Sequence, residues 1–203
     1  LVGALLGAVT AGVVYHEGTG IGADGLAHAY LDGAGVWTIC SGDTYNVEKG
    51  QIETKQQCQQ RLSKSVQEHA AVLDGLPQGT PDYAVLSIVD FAYHVGVSAA
   101  RKSSVWKELY SGNVQAAALN IEKYRFITND AKRGKPGWRF MNGHWRYDCS
   151  AVGNTVCAGI WKRRLWQMDT MSGKLGDATS AEKALPRYDR MYARDGHWVI
   201  PAK

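Results

Sequence analysis

The chain has 203 residues, enough to bury one substantial core with a small appendage, and its composition is ordinary for a globular protein, with no repeat or low-complexity tract. The formal charge of +4 is mild; it suits approach to an anionic cell wall or membrane and equally suits an unremarkable surface. No Lys/Arg cluster interleaved with aromatics is read along the chain, so a nucleic-acid partner is not expected.

Residues 1–15, LVGALLGAVTAGVVY, carry no charge and run straight into His16 and Glu17. The stretch is shorter than the roughly 20 residues that span a bilayer. Three readings compete: the first buried helix of the fold, the remnant of a cleaved signal, and a weak signal-anchor that holds the chain at the inner membrane and later leaves it. The chain begins at Leu, so a preceding piece is expected. Residues 27–52 read as a β-hairpin region, with alternation at Val36-Trp37-Thr38-Ile39 and turns at Asp32-Gly33 and Ser41-Gly42-Asp43. Thr54 and Gln57 form a capping box that opens a helix, whose core face is expected at Leu62, Val66, Ala70 and Leu73. Gly75 and Pro77 end it, and Pro81 takes the first position of the next helix. That helix carries AVLSIVDFAYHVGV, apolar nearly all round and so central. Ser103 or Ser104 caps a short helix through Leu109, and Asn113 caps another. Residues 131–158 read as a long polar, aromatic loop, followed by the helix GIWKRRLWQMDTM, which stops near Gly173. Arg163 and Arg164 on that helix read as a solvated basic face, with pairing of one of them to an acid near the site as the alternative. The remainder forms a tail whose Leu185, Tyr188, Met191, Tyr192 and Trp198 are expected to pack on the body.

Four cysteines are present and none forms a CxxC pair, so no zinc ribbon or redox motif is indicated. Cys149 and Cys157 flank a short Gly/Asn loop and read as a local disulfide, which leaves Cys40 with Cys58. Two bridges imply an oxidising compartment; four reduced buried thiols are the alternative. No histidine pair has metal-ligand spacing, and neither a metal nor another cofactor is expected.

The chemistry is concentrated between His16 and Thr44. Glu17 follows the apolar run, Asp32 sits on a Gly-containing turn, and Thr38 lies six residues further on. Two carboxyl groups on different local structures are what glycosidic bond cleavage needs, one protonated and one ionised. Each residue also has a plain structural explanation: a surface Glu at a helix end, a turn-forming Asp, and a β-branched strand residue.

The words HEG, AYLDGAGVWTI and a turn ending in Thr, with FAYHVGVSAARKSSVWKELYSGN and GIWKRRLWQMDTM downstream, resemble the phage-type lysozymes over roughly residues 15–173. The resemblance implies an α+β, mostly α fold, with a small hairpin lobe facing a helical lobe across a cleft. It implies Glu17 as general acid, Asp32 as general base or cation stabiliser, and Thr38 as the residue that positions water in an inverting hydrolysis. Partial burial against apolar neighbours is expected to keep Glu17 protonated. His94 occupies a position that often contacts the sugar in this family. Tyr30 and Trp37 are possible stacking residues, with core packing as the competing fate of each. Two departures stand out: TGIGAD is inserted after Glu17-Gly18, with Asp24 as a substitute acid, and Asp43 stands where the family has His.

These readings divide the chain into an apolar N-terminal segment (1–15), a lysozyme-like domain (16–173) and a C-terminal extension (174–203). The expected activity is hydrolysis of the β-1,4 bond between N-acetylmuramic acid and N-acetylglucosamine in peptidoglycan. The expected protein is a monomer exported to the periplasm, in transient contact with the inner membrane through its N-terminus. The competing functions are a lytic transglycosylase, which can use one Glu, and a non-catalytic peptidoglycan-binding protein on the same scaffold.

Overall fold

The computed structural model describes residues 1, 3–32 and 35–202. Its central element is an apolar helix surrounded by others. Helix α1 (Gly3–Glu17) is uncharged until its last turn and buries Ala8, Val9, Gly12 and Val13. It runs without a break into Glu17, so residues 3–15 and the first candidate site residue share one element. Among the described residues no helix is long and apolar enough to cross a membrane.

A small β region follows. Strand β1 (Leu26–His28) pairs antiparallel with β4 (Ile52–Thr54), and between them β2 (Tyr30–Leu31) pairs with β3 (Trp37–Thr38). Gly33, half of the expected Asp32-Gly33 turn, lies outside the described residues. The expected turn at Ser41-Gly42-Asp43 is closed by a bridge between Ile39 and Asp43. The insertion after Gly18 folds back on this region: Ile21 bridges Ala27, and the Gly22 N–H donates to the Leu26 carbonyl at 2.7 Å. Gly20 is required here. Its φ is +64°, and a Cβ at that position would meet the Cys40 carbonyl oxygen at 2.0 Å.

Helix α2 (Lys55–His69) opens on the expected capping box: Thr54 Oγ1 accepts from Gln57 N–H, and Gln57 Oε1 accepts from Thr54 N–H. The chain tightens into a 3-10 turn over Ala70–Leu73, so Val72, rather than Ala70 or Leu73, is the residue fully buried there. Helix α3 (Asp82–Val95) begins one residue later than expected, with Pro81 as its cap, and buries Ala84 and every residue from Leu86 to Ala92. Short helices α4 (Val97–Lys102), α5 (Ser104–Tyr110) and α6 (Val114–Asn120) follow. The Ser103 hydroxyl caps α5 by accepting from Trp106 N–H; Asn113 precedes α6 without a side-chain cap.

The reading of 131–158 as a loop is corrected. Strands β5 (Phe126–Thr128), β6 (Trp138–Met141) and β7 (His144–Asp148) form a three-stranded antiparallel sheet in the order β5-β7-β6. Asn142 and Gly143, both at positive φ (51° and 83°), make the two-residue turn between β6 and β7. Asn-Gly between two strand-forming runs is the sequence signal for such a hairpin. The strands read WRFM and HWRYD, so basic residues are interleaved with aromatics here, contrary to the sequence reading.

Helix α7 (Ala158–Met171) packs against α3, and α8 (Ala178–Lys183) against α1. Trp166 of α7 is fully buried; it donates Nε1–H to the Ala181 carbonyl at 2.8 Å and packs over Gly12. Helix α9 (Leu185–Asp189) and a ribbon of β8 (Tyr192–Arg194) and β9 (His197–Val199) end the chain. Leu185, Tyr188 and Met191 are buried and Trp198 is half-buried, whereas Tyr192 is exposed, against expectation.

Gly20→Ala is expected to destabilise the fold by more than about 1 kcal/mol, because the left-handed φ and the Cys40 carbonyl both oppose a side chain. A urea midpoint no lower than that of the parent would refute this.

Candidate active site

Glu17 is the last residue of α1, where the exposed helix carbonyls disfavour a negative side chain. The compensating charge comes from α7: Arg163 Nη1 donates to Glu17 Oε1. The apolar surroundings expected for Glu17 are therefore corrected to an ion pair, with the carboxylate side chain 29% exposed. Arg163 itself is 4% exposed and is held from the other side by Asp90 of α3. Its Nε donates to Asp90 Oδ2 at 3.0 Å and its Nη2 to Oδ1 at 2.9 Å, a two-pronged pairing, and Gln167 Nε2 adds a 2.6 Å bond to Oδ2. Burial alone would raise the Asp90 pKa, but the Arg163 guanidinium on both oxygens outweighs it and holds the group at about 2.

Arg164 is 1% exposed, so neither arginine lies on a solvated basic face, and that reading is corrected. Its Nε donates to the Tyr124 carbonyl, Nη1 to Gln167 and Nη2 to His94 Nδ1 at 2.7 Å, while its guanidinium lies over the Phe91 ring. Burial first, and Arg163 second, lower its pKa to about 10. His94 keeps an exposed face. Loss of water around the ring, and then the charges of Arg164 and Arg163, push its imidazole down to about 3. The direct Arg164 contact suffices for that direction. With Nδ1 accepting, the neutral ring carries its proton on Nε2, free to donate.

Glu17, His94 and Arg163 line one cavity of about 290 Å³, walled by α1, α3, α7 and α9. His16 joins them, its Nε2 buried without a hydrogen-bond partner and its pKa lowered by burial. Asp32, Thr38 and Tyr30 are not among the described residues of that lining; they stand together on the β2–β3 ribbon. The register sets Tyr30 opposite Thr38, and the Asp32 N–H donates to the Val36 carbonyl, continuing the pairing. Directly opposed residues share a face, as do residues two apart, so Tyr30, Asp32, Val36 and Thr38 belong to one face of the ribbon. Asp32 Oδ1 accepts from Val36 N–H at 2.9 Å, which fixes the carboxylate over its own turn. Thr38 is buried and its hydroxyl donates to the Val36 carbonyl at 3.0 Å. Tyr30 is 48% exposed, so core packing is not its fate.

Asp24, the substitute acid, is exposed and committed elsewhere. It accepts from Leu26 N–H and pairs with His28 at 2.7 Å, and the His28 bond holds its carboxyl below the usual range. Asp43 pairs with Arg61, whose Nε also reaches the buried Glu53 at 2.7 Å. Both disulfides are formed, Cys40–Cys58 and Cys149–Cys157, with the first tying the β3 side of the ribbon to α2. The donor atoms of Cys40, Glu53 and Cys58 cluster within 4.8 Å, but the bridge consumes both thiols, and the set does not fit a metal ion. The sequence reading missed Asp90. Its signal was a single acid inside an otherwise apolar helix, which demands a buried partner.

A family model described as Phage lysozyme matches residues 23–136. The match takes in Asp32, Thr38 and His94, begins after Glu17 and ends before β6. The SAR-endolysin of Pseudomonas phage phiKMV is 32% identical over 136 residues, 66% of this chain and 79% of that protein. Among solved structures, the endolysin from Escherichia coli O157:H7 phage FAHEc1 superposes with a TM-score of 0.59 at 21% identity, over 81% of this chain and 90% of that one. The muramidase domain of SpmX from Asticaccaulis excentricus gives 0.60 at 18% identity, over 81% and 94%. At those identities the two structures bear on the fold alone, and both confirm the lysozyme-like α+β architecture.

The folded-state pKa of Asp90 lies below its ordinary 3.8, so its contribution to stability is present above that value and is lost as pH falls toward about 2. Asp90→Asn should flatten unfolding stability between pH 4 and 2 relative to the parent, and should cost about 3–5 kcal/mol at neutral pH by stripping Arg163 of its buried partner. Equal pH slopes in the two proteins would refute the pairing.

Proposed function

Because the chain belongs to the phage lysozyme family, we propose that it breaks the β-1,4 bond between N-acetylmuramic acid and N-acetylglucosamine, with Glu17, Asp32 and Thr38 as the reacting set. It is a lysozyme-type lytic endolysin whose substrate is peptidoglycan. The observation that carries the residue assignment is Glu17 itself: an acid at the end of a helix packed on the core by one face, gripped by an arginine that is anchored in the core and opening on a cavity shared with His94.

In this reading the arriving sugar draws Glu17 away from Arg163, the carboxylate takes up a proton from solvent, and that proton passes to the glycosidic oxygen as the C–O bond breaks. Water attacks the anomeric carbon from the opposite ring face and gives its proton to Asp32, with inversion. The Thr38 hydroxyl, whose hydrogen is donated to the Val36 carbonyl, accepts a hydrogen bond from that water. His94, neutral with Nε2–H outward, donates to the sugar, and the exposed Tyr30 ring offers a stacking face.

The same reading extends to the N-terminus. Residues 1–15 pass transiently through the inner membrane of the host, and their exit into the periplasm forms α1 and delivers Glu17 to the site of a monomer. Residues 16–173 form the catalytic domain and 174–203 an extension. The uncharged surface of α1 and the relative's SAR-endolysin name support this route.

Release of reducing ends from purified peptidoglycan tests the chemistry. Glu17→Gln and Asp32→Asn should each lower the rate by at least about 10²-fold without loss of fold. Full activity in Glu17→Gln would move the acid elsewhere, and anhydro ends in place of reducing ends would make the enzyme a transglycosylase. For the route, a form tethered to the membrane through its N-terminus should be inactive until released, and full activity while tethered would sink it.

A further inference from the structure

The formal charge of the chain resides in one place. Residues 122–148 hold seven Lys/Arg and three Asp/Glu, a net of +4, and the rest of the chain balances at sixteen of each. This segment builds the β5–β7–β6 sheet, and β6 and β7 lie beyond the residues matched by the family model.

The register sorts the sheet into two faces. Trp138 pairs with Tyr147 and Phe140 with Trp145, giving an aromatic face with ring separations of 5.7 and 5.9 Å. On the other face Arg139 stands directly across from Arg146. Like charges opposed across a strand pair destabilise a sheet, and here Arg139 is exposed while Arg146 is half-buried. Neither guanidinium has an acid partner among the described residues, and Arg146 Nε is buried with no hydrogen bond at all. The nearby acids are committed. Asp148 takes Arg125 and Ser150, and Asp130 takes His144 and the Trp145 N–H.

Arg146 also lines two cavities. One, of about 380 Å³, is shared with Arg139 and Arg125. The other, of about 340 Å³, is shared with Lys123, Arg164 and His94 and has no acid among its described lining residues. His94 and Ile160 line both this second cavity and the one that holds Glu17. A cationic path therefore leads from Glu17 to a pair of forked donors, one exposed at Arg139 and one with a buried, unbonded Nε at Arg146, which match a carboxylate.

We propose that Arg139 and Arg146 bind the carboxylates of the peptides that branch from the glycan strand, so that the sheet selects peptide-bearing peptidoglycan. This rests on the peptidoglycan reading above. The continuity of the cavities favours a group carried by the substrate itself. An anionic membrane surface is the competing partner.

The test compares glycan strands that bear their peptides with strands stripped by an amidase. The parent enzyme should prefer the peptide-bearing strands. Arg139→Gln and Arg146→Gln should each lower that preference, the ratio of the two kcat/KM values, about tenfold, through KM on the peptide-bearing strands. That is the size of one charge-assisted hydrogen bond. Both variants should melt no lower than the parent, because each removes a cross-strand repulsion. An unchanged preference overturns the proposal. So does an unchanged preference accompanied by lost binding to phosphatidylglycerol vesicles, which would assign the pair to a membrane. No cleavage of either substrate by the parent would instead fail the muramidase reading.

Discussion

The buried pairing of Asp90 with Arg163 is the contact on which the site depends. Asp90 is 0% exposed, in the middle of α3, where it is flanked by buried residues from Leu86 to Ala92. Taking both charges out of water costs several kcal/mol per ion, and only a close two-pronged geometry with further hydrogen bonds offsets that. Gln167 supplies the further bond to Asp90, and the remaining nitrogen of Arg163 reaches Glu17. One pair thus joins α3 to α7 and sets the side chain at the end of α1. Arg164, one residue on, carries the same support to His94. The candidate acid and the candidate sugar contact are therefore steadied by adjacent arginines on a single helix turn.

The close packing of α1 makes that geometry possible. The Trp166 ring packs over Gly12, and Trp166 is in turn bonded to Ala181 of α8. Ala181, Leu185 and Tyr188 pack into the same core as α1 and are therefore part of the clamp on it. On the other side the Cys40–Cys58 bridge and the Arg61 contacts to Asp43 and Glu53 secure the ribbon that bears Asp32 and Thr38. The insertion after Glu17 spends its length on its own turn and on contact with Cys40, which leaves the β2–β3 pairing intact.

The sheet of 126–148 follows a different rule from the rest of the molecule. Elsewhere the buried guanidiniums are fully bonded, Arg163 to two acids and Arg164 to Tyr124, Gln167 and His94. Here Arg139 and Arg146 face one another without an acid partner among the described residues, next to a continuous aromatic face. Local strain of this kind survives only where the surrounding fold over-determines it, and such places are commonly binding surfaces.

The sequence by itself determined what depends on neighbours along the chain. The capping box at Thr54, the apolar helix around Phe91, the Ser103 cap and the local Cys149–Cys157 bridge were all legible, because spacing and residue type decide them. The candidate triad was legible through its words, HEG and AYLDGAGVWT, rather than through any single residue. The hairpin at Asn142-Gly143 was legible too and was passed over in favour of its polar composition. Only the tertiary structure decided the surroundings of those residues. Arg163 and Arg164 look on the chain like any exposed basic pair; Arg163 is buried against an acid 73 residues away on α3, and Arg164 against Tyr124, Gln167 and His94. The partner of Glu17 lies 146 residues downstream. Coulomb interaction depends on distance in space and on excluded water, and chain order records neither.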